Sequence, residues 1–98
     1  MSDTETGTAA PAPKDPTQPP AELVVTFSKP YSIGGVDYSE MRLREPTAGE
    51  MIECDDVSGW AMDVKLASLV SGVPEVVVRQ LKVRDLLPGT RYLGRFLN

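Results

Sequence analysis

The stretch LVVTFSKPYSIGGVDYSEMRLREPTAGE, residues 23–50, decides how this chain folds. Residues 23–44 are rich in Val, Tyr, Phe, Ile and Thr, which favour β-strands. Gly34 and Gly35 divide this run at the point where a two-residue primed turn requires positive φ angles. The pattern therefore predicts a β-hairpin from Leu23 to Arg44.

The side-chain alternation changes phase within the second half of this hairpin. Val36 and Tyr38 share one phase, whereas Met41 and Leu43 lie in the other. Because successive strand residues face opposite sides of a sheet, this change predicts a β-bulge near Ser39–Glu40. Two strands alone are marginal in water, so the segments that follow must cover the apolar face.

Helical signals begin directly after the hairpin. Pro46 ends the strand, and Thr47 with Glu50 has the spacing of a capping box. These residues predict a short helix over 48–54. A longer core helix is predicted from Trp60, with Gly72 as its C-cap.

Two further helices are predicted towards the C-terminus. Pro74 suits the first turn of a helix that runs through Val77 to Leu81, because a missing N–H costs nothing there. The last helix is predicted over 86–97, since Pro88–Gly89 weakens any helix that begins much earlier. The predicted fold class is α+β: an N-terminal β-hairpin packed on a cluster of three to four short helices.

The first 22 residues differ in composition from the rest of the chain. They hold five of the nine prolines and no aromatic or branched aliphatic side chain before residue 23. Without apolar surface to offset the entropy of ordering, residues 1–22 are predicted to form a disordered, Pro-rich acidic tail. A docking site for a proline-recognition module is the alternative function for this segment. Residues 23–98 are predicted to form the single domain.

The composition excludes many enzyme classes. The 98 residues include 10 basic and 14 acidic side chains, a net charge of −4, with no His and one Cys. There is therefore no His general base, no catalytic triad with His and no Cys/His zinc site. The acidic run Glu53 to Asp56 lacks the spacing of a calcium loop, and Cys54 lies between acidic neighbours that disfavour a thiolate. We predict a non-enzymatic protein with no cofactor and no metal.

The chain also lacks the features of a membrane or secreted protein. No apolar run approaches the roughly 20 residues of a membrane helix, and the N-terminus does not have the order of a secretory signal. We therefore expect a cytoplasmic protein without a membrane partner.

Residues 66–81 imitate the spacing of a helix-turn-helix, with Arg79, Lys82 and Arg84 as candidate phosphate contacts. A recognition helix carries polar side chains at its start to contact base edges, whereas residues 75–78 are Glu-Val-Val-Val. An acidic chain also gains little nonspecific affinity for phosphates. The main prediction is therefore that the protein has no nucleic-acid partner. DNA binding is kept as the alternative function.

Several short motifs occur in an order that resembles the small phage tail assembly chaperones. They are Phe27-Ser28-Lys29-Pro30, the Gly34–Gly35 turn, Met41-Arg42-Leu43-Arg44-Glu45-Pro46-Thr47, Leu69-Val70-Ser71-Gly72-Val73-Pro74 and Arg84-Asp85-Leu86. Each motif alone is weak, but their order is specific, and together they span most of residues 24–97. If the alternative function of DNA binding is the correct one, this resemblance implies a small regulator encoded by a phage or prophage.

The resemblance implies a function and a partner. Such a protein holds the tape measure protein soluble in the host cytoplasm while tail tube subunits are recruited, and it is absent from the mature virion. A longer form produced by frameshifting contacts the tail tube protein in such systems. The oligomeric state is left open.

A tail assembly chaperone needs an adaptable apolar surface with a charged rim. We predict that this surface includes Trp60, Met62, Val76, Val77, Tyr92 and Phe96, with Arg91 and Arg95 at its rim. A core position is the alternative for each apolar residue. For Trp60, the helical phase shared with Val64 and Ala67 favours the core.

Overall fold

The computed structural model describes residues 19–97, and the predicted tail therefore lies almost entirely outside the described residues. Two strands and four helices follow in order. They are β1 (Glu22–Ile33), β2 (Val36–Arg44), α1 (Ala48–Glu53), α2 (Gly59–Ser71), α3 (Glu75–Val78) and α4 (Val83–Gly94). The predicted α+β class, a hairpin followed by short helices, is confirmed.

Strands β1 and β2 form the predicted antiparallel hairpin. Gly34 and Gly35 both have positive φ angles, 56° and 79°, as a primed two-residue turn requires. Next to the turn, Ile33 pairs with Val36, and at the open end Leu23 pairs with Leu43. The hairpin therefore has the predicted limits to within one residue.

The pairing register shifts in the middle of the hairpin. Thr26 pairs with Glu40 and Tyr31 pairs with Tyr38, so β1 advances five positions while β2 advances two. The irregularity lies opposite Ser39, as predicted, but the extra residues belong to β1 and not to β2. Pro30 falls within them, and since proline has no N–H for a ladder bond it is suited to an irregular position.

Helix α4 covers the apolar face of the hairpin and lies close to it at Gly89. A Cβ atom at residue 89 would lie 2.8 Å from Leu43 Cδ1, 3.2 Å from Met41 Cε and 3.8 Å from Val25 Cγ2. Leu43 and Met41 are themselves only 0% and 1% exposed. The absence of a side chain at residue 89 thus allows this close contact.

Polar bonds fix the start of α4 against the irregular part of β1. The Asp85 carboxylate accepts a hydrogen bond from the Ser28 backbone N–H at 3.0 Å and another from the Ser28 hydroxyl at 2.7 Å. These bonds favour the ionised carboxylate and hold the pKa of Asp85 below its usual value. Asp85 is a charged side chain buried in the core, where a polar group requires hydrogen-bond partners. Its bonds to β1 provide them.

Three predicted helix limits are wrong. Helix α4 ends at Gly94 and not at Leu97, because the residues after it form tighter i to i+3 bonds. Helix α4 begins at Val83 and not at Leu86, and it contains Pro88. Because Pro88 lies in the second turn, it removes only one bond near the helix start, and packing at Gly89 supports the helix there. Helix α3 ends at Val78 and not at Leu81, since the following residues form tighter i to i+3 bonds, including Leu81 N–H to the Val78 carbonyl.

The corner between β2 and α1 has the predicted capping box. The Glu50 backbone N–H donates to the Thr47 hydroxyl, and the Thr47 N–H donates to the Glu50 carboxylate. Arg44 adds two parallel bonds to the same carboxylate, at 2.9 and 2.8 Å. Together these contacts lower the pKa of Glu50 to about 2, and the bonds from Arg44 have the largest effect.

Helix α2 ends where Gly72 adopts a left-handed conformation with a φ angle of 79°. Its N–H donates to the Ser68 carbonyl, which closes the helix as the sequence predicts. The buried side chains of α2 are Leu66, Ala67 and Val70, and the helix packs against β2. The core therefore lies between the hairpin, α2 and α4.

The close contact at Gly89 predicts a strong effect of a larger side chain. Gly89→Val should lower the free energy of unfolding by about 1–3 kcal/mol, because the buried Leu43 and Met41 side chains must move. Gly94→Val in the same helix is the matched control, since its Cβ meets nothing within 4 Å, and it should change stability by about 0.5 kcal/mol or less. Urea unfolding followed by circular dichroism measures both, and equal effects would contradict this packing.

The Glu50 interactions predict a pH dependence of stability. The folded-state pKa of about 2 lies below the ordinary 4.5, so ionised Glu50 stabilises the fold fully above pH 4.5 and progressively less as the pH falls towards 2. Glu50→Gln should therefore cost about 1 kcal/mol near neutral pH, a value typical of a cap and a partly exposed ion pair. The difference between variant and parent should shrink between pH 4.5 and pH 2. A pH-independent difference would contradict the assignment.

Candidate protein-binding surface

An open groove of about 370 Å³ lies between α2 and α3. Val57, Ala61 and Val64 form its apolar part, and Trp60 lies beside them. Lys65, Glu75 and Arg79 complete its lining. We call this feature the α2–α3 groove. Its apolar lining with a few charged groups is typical of a protein-binding or ligand-binding surface.

Trp60 is the largest exposed apolar side chain in the groove, with 53% of its surface accessible. The core position that its helical phase favours is therefore wrong. Helix α2 has 13 residues and spans about 20 Å, whereas α3 has four residues and spans about 6 Å. Because α3 is a single turn, it leaves the first turns of α2 accessible, and the indole remains at the surface.

Two ion pairs border the groove. Glu75 on α3 lies 3.6 Å from Arg79, the residue that follows this helix, and Lys65 Nζ lies 3.1 Å from Asp56 Oδ1. The hydrogen bond between Lys65 and Asp56 raises the pKa of the amine and lowers the pKa of the carboxyl. The charged groups at the rim are thus already paired, so the apolar floor is the part of the groove that gains from being covered.

The eight residues predicted for the contact surface fall into separate groups. Trp60 lines the α2–α3 groove, and Val76 is 48% exposed on α3, next to Glu75. Arg91 and Arg95 are exposed along and just after α4. The structure therefore does not bring all eight residues onto one surface.

The other four predicted contact residues belong to the packed interior or its edge. Val77 is 0% exposed and Tyr92 4% exposed, while Met62 and Phe96 are half-buried against the core. The Tyr92 hydroxyl donates to the Pro20 carbonyl at 2.7 Å, and its ring meets Phe96 edge-to-face at 5.2 Å. Val77 and Tyr92 are therefore corrected to core residues, because the hairpin and the helices already occupy their surfaces.

Several groove residues were absent from the predicted set, although the sequence contains a signal for them. Trp60, Ala61 and Val64 are spaced so that they share one side of a helix, and Val57 comes shortly before the helix start. The buried residues Leu66 and Val70 lie on another face of α2. An apolar pattern on two sides of one helix indicates a second contact surface.

The segment that imitates a helix-turn-helix is not built like one. Helix α3, in the position of a recognition helix, is a single turn. Its Val77 and Val78 side chains are buried against the core. A helix of this length with that face buried cannot present several side chains to base edges in a major groove.

Among the described residues, neither the cysteine nor the acidic side chains form a recognisable catalytic or metal site. Cys54 is buried, and burial raises the pKa of its thiol, which disfavours the thiolate nucleophile. Within residues 19–97, no group of three or more Cys, Asp or Glu side chains is arranged to hold a metal ion.

No helix among residues 19–97 combines the length and the apolar character needed to cross a membrane.

A family model described as "Phage tail assembly chaperone proteins, E, or 41 or 14" matches residues 24–98. This match covers the hairpin except its first two residues, and all four helices. The chain belongs to the phage tail assembly chaperone family. Searches of curated proteins and of solved structures find no match.

The motifs that resemble this chaperone family occupy structural junctions. Ser28 and Asp85, from two distant motifs, bond directly to each other. Thr47 begins α1, and Gly72 ends α2. The motifs therefore build the chaperone fold, whereas none of the residues that line the α2–α3 groove belongs to them.

The different placement of the two aromatic residues predicts different effects on stability. Trp60→Ala should cost about 1 kcal/mol or less, because the indole is half exposed, while Tyr92→Ala should cost about 3–5 kcal/mol as a core truncation. Urea unfolding measures both variants. In the parent protein, acrylamide should readily quench the fluorescence of Trp60, the sole Trp in the chain. A quenching-resistant indole with a large Trp60→Ala cost would contradict the surface position.

Proposed function

We propose that this chaperone binds the tape measure protein and keeps it soluble while the tail tube assembles. The observation that carries the proposal is Trp60, exposed beside an apolar groove in a chain of the tail assembly chaperone family. Large exposed apolar patches on small domains mark interaction surfaces. Trp is also the side chain that most often dominates interface energy.

The α2–α3 groove suits an amphipathic helix of the client. A tape measure protein is a long, largely helical chain, and the apolar face of such a helix aggregates when it has no partner. Val57, Ala61 and Val64 offer a matching apolar floor, with Trp60 beside them. Helix-in-groove binding buries the client's apolar face and leaves its polar face in water, which is the physical basis of keeping it soluble.

The ion pairs at the groove support release as well as binding. Glu75 and Arg79 are 47% and 70% exposed, so their pair is worth little on its own. A client helix can exchange contacts with these groups at small cost, while the apolar floor provides most of the affinity. Binding of this kind holds the client until tube subunits displace the chaperone.

We further propose where the protein binds its client and which other tail protein takes part. Binding occurs in the host cytoplasm, before the tape measure protein is enclosed by the tube. A longer frameshifted form, as the family resemblance implies, would bring tail tube subunits to the same client. Of the residues predicted for the contact surface, Trp60 carries the client contact, because it is exposed and lines the groove. Val76 is exposed on α3 outside the groove lining and adds to the contact only where the client extends past Glu75.

Co-expression with fragments of the tape measure protein tests this function. The parent chain should make at least one fragment soluble and co-purify with it. Trp60→Ala should weaken the complex by at least about tenfold, since a central Trp typically contributes that much. Binding should also shift the Trp60 emission to shorter wavelength, because the client covers the indole.

Val36→Ala is the matched control, because Val36 is similarly exposed, at 50%, but lies at the hairpin turn. It should leave the complex unchanged. If the parent chain solubilises no fragment, the proposed client is wrong. If Trp60→Ala and Val36→Ala bind equally well, the client is bound elsewhere than the α2–α3 groove.

A further inference from the structure

The N-terminal part of the described chain joins the domain beside α4. The Tyr92 hydroxyl on this helix donates to the Pro20 carbonyl at 2.7 Å, and Pro19, the first described residue, is half-buried. The bonds from Ser28 to Asp85 lie at the other end of α4, so β1 and α4 run in opposite directions. The chain therefore reaches the domain at the C-terminal end of α4.

The outward face of α4 is basic at both ends and apolar in the middle. Arg84 and Arg91 are exposed and two turns apart, with half-buried Leu87 and exposed Pro88 between them. The spacing i, i+3, i+4 and i+7 places these four residues along one side of the helix. The opposite side packs against the hairpin through Gly89. We call Arg84, Leu87, Pro88 and Arg91 the α4 face.

The arginines of the α4 face differ from three other arginines of the described chain. Arg42, Arg44 and Arg79 each form an ion pair with a glutamate. Within residues 19–97, Arg84 and Arg91 form no ion pair. Two exposed guanidinium groups of this kind favour an acidic occupant, because charge complementarity selects the partner of a polar surface.

The segment that precedes the domain has the complementary charge. Residues 1–18 contain Asp3, Glu5 and Asp15, with Lys14 as the basic residue, so three carboxylates against one amine give a net charge of −2. This segment lies outside the described residues, and it is joined to the domain beside α4. An acidic chain is thus attached next to a basic helix face.

The proline spacing near the domain adds an apolar side to this acidic segment. Pro13, Pro16 and Pro19 recur at every third residue. A polyproline II helix has three residues per turn, so this spacing places the three rings on one side. Successive rings are then about 9 Å apart, close to the roughly 10 Å between Arg84 and Arg91 along α4. The rings therefore match the apolar middle of the α4 face.

We propose that residues 1–18 of this chain dock on the α4 face of the same molecule. Asp15 is five residues before Pro20, so it can reach up to about 17 Å from the Pro20 carbonyl. Arg91 is the neighbour of Tyr92, whose hydroxyl holds that carbonyl, and it lies within this reach. More distant acidic residues of the segment have enough chain to reach the other end of the face.

The covalent connection makes weak contacts sufficient. Exposed ion pairs are individually weak, but a short linker holds the segment near the α4 face at an effective concentration of the order of millimolar. A free acidic peptide does not have this advantage. The contact uses residues other than those of the α2–α3 groove, so it does not depend on the proposed client.

Docking of the acidic segment has a consequence for other polyanions. Nucleic acid and heparin compete for the same arginines, because their charged groups also bind guanidinium. The docked segment therefore shields the α4 face from such molecules. Removal of its carboxylates should expose the arginines.

A spin label at residue 12 of the full 98-residue chain tests the contact. Ala12→Cys introduces the labelling site, whereas Cys54 is buried and stays unlabelled. At about 20 mM NaCl the amide signals of residues 84–91 in an isotope-labelled chain should fall to about half or less, because the label is near. At about 500 mM NaCl they should recover, since salt screens the ion pairs.

Neutral substitutions in α4 assign the contact to its arginines. Arg84→Gln with Arg91→Gln should abolish the salt-dependent loss of signal. Lys29→Gln with Arg79→Gln is the matched control, because it also removes two positive charges, one on the hairpin and one just after α3. The control should leave the loss of signal unchanged, and circular dichroism should show that every variant is folded.

Charge reversal on both sides tests direct pairing. Glu5→Lys with Asp15→Lys should abolish the loss of signal, because two attractive contacts become repulsive. Combining these changes with Arg84→Glu and Arg91→Glu in one chain should restore it.

Heparin binding tests the shielding. Glu5→Gln with Asp15→Asn should bind heparin at least about twofold more tightly than the parent chain, because the arginines become accessible. Glu53→Gln with Asp55→Asn is the matched control, since it removes two exposed carboxylates near the end of α1. It should bind heparin less tightly than the tail variant does.

Four outcomes overturn the proposal. The first is an α4 signal that the spin label does not reduce at low salt, and the second is a reduction confined to other parts of the domain. The third is a reduction that a spin-labelled chain causes in separate isotope-labelled chains, because the contact then joins different molecules. The fourth is equal heparin binding by the tail variant and its control.

Discussion

The contact between α4 and the hairpin is so close at residue 89 that any side chain there would displace the buried ends of Leu43 and Met41. Leu43 and Met41 come so close to the Gly89 Cα that the helix backbone itself forms part of the core. Because protein interiors are densely packed, this contact fixes the distance between helix and sheet. The bonds from Ser28 to Asp85 fix the position of the helix start. A two-stranded sheet, unstable alone, becomes one face of a closed core.

The remaining helices depend on this arrangement. Arg44, at the end of β2, holds the Glu50 carboxylate and so connects the hairpin to α1. Helix α2 then packs on β2, and Gly72 turns the chain back towards α3. Since α3 is a single turn, it covers only part of α2, and Trp60 stays exposed beside the α2–α3 groove. The proposed client surface thus results from a short helix over a longer one.

Most of the fold could be predicted from local signals, and the candidate site only in part. Gly34–Gly35, Thr47 with Glu50, and Gly72 act through backbone angles or bonds to near neighbours, so each was predicted correctly. The start of α4 was missed because Pro88–Gly89 is a helix-breaking pair by local preference. For the site, Trp60 and Val76 were predicted and are exposed, whereas Tyr92 proved to be core because the hairpin and Pro20 cover it.

The sequence by itself determined the hairpin, its turn, the first helix with its cap and the family, since all of these depend on residue order and short-range geometry. Tertiary structure alone decided which apolar side chains are buried. It made Gly89 a packing residue, gave Asp85 its partner 57 positions away and left Trp60 at the surface. A helical pattern shows which residues share a face, but burial depends on whether another element is long enough and close enough to cover that face.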